Sequence, residues 1–213
     1  MIWKLLKWLF GSRKPSEPHT ADLPPAGMIP PTKDRKAFFD AVRGSFGRLT
    51  QKQVNGFNYL LDAWDKLGWK DERWLAYCLA TAWLETGHTM MPIAEYDRGK
   101  GRPYGKPGVY GQPQYGRGYV QLTWDRNYAK ADKALGLNGA LTKDFDLAMQ
   151  PDIAAEILYR GMKEGWFTGK RLDHYINDSM SDYKNARRIV NGTDKAAAIA
   201  SYARSFENAV RKL

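Results

Sequence analysis

Tyr115-Gly116-Arg117-Gly118-Tyr119-Val120-Gln121-Leu122-Thr123-Trp124-Asp125-Arg126-Asn127-Tyr128 is the stretch that decides how this chain is read. It closes a loop region, residues 87–118, that holds eight of the 20 glycines and four prolines. A loop this long within a compact domain is usually functional. Glu85 ends the apolar helical run ahead of the loop, and Glu95 follows ten residues later. Two carboxylates in different environments can divide acid and base work. Cleaving a glycosidic bond needs that pair: an acid on the leaving oxygen, and a base or nucleophile across the sugar ring.

Outward from this stretch the pattern is helical. Phe38, Phe39, Val42 and Phe46 make one short amphipathic run. Thr50-Gln51-Lys52-Gln53 spells a capping box, in which hydroxyl and amide satisfy each other's orphan backbone groups. Val54, Phe57, Leu60, Leu61, Trp64 and Leu67 then keep helical spacing up to Gly68. Asp71 is placed to cap a buried helix running through Cys78 to Glu85, with Gly87 beyond its end. Further helices are expected from Pro151 to about Lys163 and from Asp194 onward, the last capped by Thr193. No long strand is evident; a brief hairpin fits within 93–122. The fold class is mainly α, with a long Gly/Tyr-rich loop set between helices.

Composition sets limits on function. With 213 residues the chain can bury a real core, and one main domain is the prior. The aromatic fraction of 13% suits a packed globule with a sugar-binding cleft, although the Trp residues are read as core. A net charge of +10 draws the protein to polyanions, an acidic cell wall among them. No nucleic-acid-binding signature is present, so nucleic acid is not an expected partner. Cys78, the one cysteine, allows neither an internal disulfide nor a Cys-rich zinc site. Residues 1–14 alternate Lys4, Lys7 and Lys14 with Trp3, Leu5, Leu6, Trp8, Leu9 and Phe10. Such a segment is too short to span a bilayer, lacks a clear cleavage site, and suits an amphipathic helix lying on an anionic membrane surface. Residues 15–31 carry six prolines and form a linker, leaving 32–213 as the catalytic domain.

The candidate chemistry can be weighed residue by residue. Burial and the helix dipole both oppose charge on Glu85, which suits a general acid. Glu95 lies among charged loop residues and suits a base, with Asp97 as competitor for that role. Metal chemistry is not expected, because His88, Glu85 and Glu95 lack the spacing of a helical ligand pair. Ser181 and Lys184 have Ser-x-x-Lys spacing without its supporting elements, and neither His19 nor His174 stands beside a nucleophile. No cofactor is expected.

Three motifs in order resemble glycoside hydrolase family 19, the plant-type chitinases and related bacterial and phage cell-wall lysins. They are Trp83-Leu84-Glu85-Thr86-Gly87, the stretch from Tyr115 to Tyr128, and Arg188-Ile189-Val190-Asn191-Gly192. The resemblance implies Glu85 as acid, Glu95 as base and Thr123 as holder of the attacking water. It implies a lysozyme-like domain of two helical lobes with a cleft between them, with Gln121, Asn127 and Asn191 as sugar contacts and Tyr128 lining the cleft; Tyr96, next to Glu95, is a further candidate sugar contact. Leu84 stands where the family commonly has histidine, and the short loop and absent cysteines match the phage-lysin branch. The implied activity is inverting hydrolysis of β-1,4 bonds in peptidoglycan by a monomeric phage or prophage endolysin acting in the bacterial envelope or periplasm. Two alternatives stay open: a chitinase on N-acetylglucosamine polymers, and a wall-binding module without catalysis.

Overall fold

The computed structural model describes residues 34–213; the expected amphipathic segment 1–14 and the linker lie outside the described residues. Helix α1 spans Lys36–Phe46 and α2 spans Gln51–Leu67, with the capping box formed at Thr50 and Gln53 and Gly68 left-handed at the far end. Helix α3, Glu72–Glu85, begins at Asp71, whose side chain accepts from the Arg73 amide. Arg35 ties the start of α1 to α2 through Asp62 at 2.7 Å and Asp65 at 3.2 Å.

Every residue of α3 from Leu75 to Glu85 is buried, which makes it the central helix. Its main partner is α7, Ala196–Val210, which also packs on α1. Phe57 and Trp83 stack at 6.1 Å, and Phe46 stacks on Phe206 at 4.7 Å, so rings from α1, α2, α3 and α7 meet in one cluster. Cys78 sits in this core against Met162, as a small apolar side chain should, and burial pushes its thiol pKa up.

A second group of elements forms the other lobe. It contains α4 (Asp125–Leu135), α5 (Ala140–Lys143), the tight turn Phe145–Met149 and α6 (Pro151–Glu164), with α6 packing back on α2. Between α3 and α4 the chain forms a minimal antiparallel hairpin, β1 (Ile93–Ala94) against β2 (Arg117–Gly118). A second hairpin pairs β3 (Ile176–Asn177) with β4 (Met180–Ser181). The fold is thus mainly helical, with Glu85 at the end of α3 and Glu95 in the loop between α3 and α4.

Two details depart from the sequence expectation. Helix α4 was not foreseen: its residues are mostly polar, and only Tyr128, Ala131 and Asp132 are buried. Thr193 does not cap α7: the helix starts after a left-handed Lys195 with no side-chain cap, and Thr193 contributes only its carbonyl, to the Ala196 amide at 3.1 Å. Among the described residues no helix is long and apolar enough to cross a membrane.

Candidate active site

Glu85 is the last residue of α3 and is 8% exposed. The sequence suggested an environment that opposes its charge. The fold supplies a cation instead: Arg187 Nη1 donates to Glu85 Oε1 at 2.6 Å, and its side chain is fully buried. Arg187 lies on the turn Asn185–Ile189, more than 100 residues along the chain, and its Nε also donates to the Asp194 carbonyl at 3.2 Å. A buried charge pair needs such extra hydrogen bonds, since desolvation otherwise exceeds the Coulombic gain.

Glu95 follows β1 and is half-buried. Its amide donates to the Gly116 carbonyl at 2.7 Å, while its Oε2 accepts from the Gly116 amide at 3.3 Å. Tyr104 Oη donates to Oε1 at 3.0 Å. Burial first, then the Glu95 charge, pushes the Tyr104 phenol up to about 12, so it remains a donor across the neutral range. The loop holds Tyr104 there by close backbone contact: a Cβ on Gly105 would lie 2.0 Å from the Gly99 carbonyl oxygen. Only glycine allows that approach. Asp97 lies exposed in the following turn, and its carboxylate makes no hydrogen bond among the described residues. Tyr96 is 66% exposed, with its ring available to stack on a sugar face.

The stretch from Tyr115 to Tyr128 is shaped around Arg117. This arginine is 3% exposed, and its Nη1 donates to the carbonyls of Pro113 and Tyr115 and to Tyr128 Oη. Its Nε reaches Asp146 at 2.6 Å, and its guanidinium lies 3.6 Å from the centre of the Tyr115 ring. Around this cation the backbone takes left-handed φ at two non-glycine residues, Gln121 (54°) and Trp124 (76°). Such positions cost of order 1–3 kcal/mol each and gather at functional sites.

Gln121 spends its amide nitrogen on the carbonyls of Ile93, at 3.0 Å, and Gly118, at 3.2 Å, which fastens the hairpin. Thr123 Oγ1 donates to the Gln121 carbonyl at 2.8 Å and keeps acceptor capacity for a water. Asn127 Nδ2 donates to the Thr123 carbonyl at 2.7 Å, leaving its Oδ1 as the polar atom for a ligand. Tyr128 corrects the sequence expectation. It is 0% exposed, stacked on Phe145 at 3.9 Å and bonded to the Tyr115 carbonyl, so it supports the loop from beneath and does not line a cleft. Asn191 is half-buried after the turn that carries Arg187, and its amide donates to the Arg187 carbonyl at 3.0 Å.

Sequence reasoning missed Arg187, Tyr104 and the central place of Arg117. Arg187 stands next to the motif beginning at Arg188, and nothing local separates the two arginines. His88 was seen but given no role. It stacks on Trp83 at 4.8 Å, and burial, then the Lys195 charge, holds its imidazole pKa below the usual range. Among the described residues no group of three or more His, Cys, Asp or Glu could hold a metal ion.

No protein-family model matches the chain, and no curated protein sequence does. Among solved structures the chain is similar to chitinase C from Streptomyces griseus HUT6037, with a TM-score of 0.58 and 22% identity. The match covers 81% of this chain and 76% of that one. At that identity the likeness establishes a shared chitinase-like, lysozyme-like fold.

Proposed function

We propose that this protein is a glycoside hydrolase that cuts β-1,4 bonds of peptidoglycan by an inverting mechanism, as an endolysin of the bacterial envelope. The observation that carries the reading is the contrast between the two carboxylates. Glu85 is buried and clamped by one guanidinium, whereas Glu95 is half-buried and held by a phenol and a backbone amide. Arg187 fixes Glu85 through Oε1, and the Glu85 carboxyl passes a proton to the leaving oxygen. Glu95 takes the proton of a water held at Thr123, and that water attacks the anomeric carbon from the opposite face. Glu95 is preferred to Asp97 as base because only Glu95 is fixed by hydrogen bonds. Gln121 Oε1, Asn127, Asn191 and the exposed Tyr96 ring are the sugar contacts.

Inversion requires carboxyl groups about 6.5–9.5 Å apart, with room for the water. NMR of the first-formed anomer on a soluble oligosaccharide tests it, and retained configuration would remove Glu95 from the base role. Glu85→Gln should lower turnover by about 10²–10⁴, the worth of general acid catalysis. The same chemistry on chitin is the second reading, favoured by the fold shared with a chitinase. Reducing ends released from purified peptidoglycan, compared with those from chitin, choose between the two.

A further inference from the structure

Beside Asn191 lies an open cavity of about 410 Å³ lined by Phe167, Thr168, Lys170, Arg188, Val190 and Asn191. Its floor is apolar, and its two charged side chains are both cations. Lys170 and Arg188 are exposed, and neither forms an ion pair among the described residues. The cavity is structurally tied to the site. Arg187 and Arg188 are successive residues of one tight turn, where each step rotates the side chain by roughly 120°. Arg187 therefore points inward to Glu85, and Arg188 outward to the cavity. Thr168 Oγ1 lies 2.6 Å from the Arg188 carbonyl and 3.0 Å from that of Ile189, which pins the opposite wall.

From this arrangement we infer that the cavity is a subsite for carboxylates carried on peptide branches of the glycan. The inference rests on the proposed glycan-binding site and names its substrate class. A chitin chain carries no carboxylate, so Lys170 and Arg188 would gain nothing from it. Peptide-substituted strands present an acidic group next to an aliphatic chain, matching the two cations and the apolar Val190 and Phe167 of the lining. Charged contacts of this exposed kind discriminate between ligands and contribute modestly to affinity.

The test uses the full chain and two probes: a disaccharide–dipeptide with free carboxylates, and the same fragment with those carboxylates amidated. Titration calorimetry should show the acidic fragment binding about two- to thirtyfold tighter, as expected for two exposed ion pairs. The preference should shrink at 0.5 M salt, where the screening length falls to a few ångströms. Lys170→Gln with Arg188→Gln should abolish it. Equal binding of the two probes, a preference that survives the double substitution, or no binding of either would overturn the inference. A charge-dependent preference without any hydrolysis would support it while refuting the hydrolase reading.

Discussion

Replacing Arg187 with Met is the perturbation whose outcome depends most directly on the tertiary structure. The substitution keeps much of the side-chain volume but leaves the Glu85 carboxylate, 8% exposed, without the cation now 2.6 Å away. Removing one partner of a buried pair costs about 3–5 kcal/mol, because the remaining charge is left uncompensated. For a domain of this size each kcal/mol moves the melting temperature by about 2–4 °C, so Arg187→Met should melt roughly 6–20 °C lower. Glu85→Gln keeps an acceptor for Arg187 but removes the counter-charge from that fully buried cation, so it should lose a similar ~3–5 kcal/mol. The double variant Glu85→Leu/Arg187→Met removes both charges, and should recover most of the loss while remaining inactive. Urea unfolding followed by circular dichroism and by tryptophan fluorescence measures all three. An Arg187→Met protein within about 1 kcal/mol of wild type, well short of the range for a broken buried pair, would refute the reasoning.

Tyr104→Phe removes the donor at Glu95 Oε1 without changing ring packing; turnover should fall about tenfold or more, from ~1.5–3 kcal/mol of lost positioning, and unchanged kcat would sink the role. His88 should titrate below its ordinary 6.5 when followed by NMR, with a midpoint at or above that value as the contrary result. Because its folded pKa is the lower one, its contribution to stability is present above pH 6.5 and lost as pH falls through the folded value. Deleting residues 1–27 should leave hydrolysis of purified wall intact and weaken binding to anionic liposomes; equal liposome binding by the truncated chain would argue against a membrane-surface helix.

Much of the fold was legible from local chemistry. The capping box at Thr50, Asp71 ahead of α3 and Gly68 behind α2 are signals whose partners lie within a few residues, so their reading does not depend on the rest of the chain. The buried face of α3 followed from its continuous apolar run, and a brief hairpin was expected within 93–122. The short helix α4 escaped because so few of its residues are apolar; its packing on α5 and α6 holds it in place.

The site divides in the same way. By itself the sequence determined that two carboxylates bracket the start of a glycine-rich loop, and that a polar stretch follows them. Only the tertiary structure decided what surrounds each group. Arg187 meets Glu85 across 102 positions of chain, and Tyr128 turns its ring into the core beneath Arg117 rather than toward a ligand. A side chain's direction and its counter-charge arise from how distant segments pack, and residue order near Glu85 or Tyr128 carries no record of that packing.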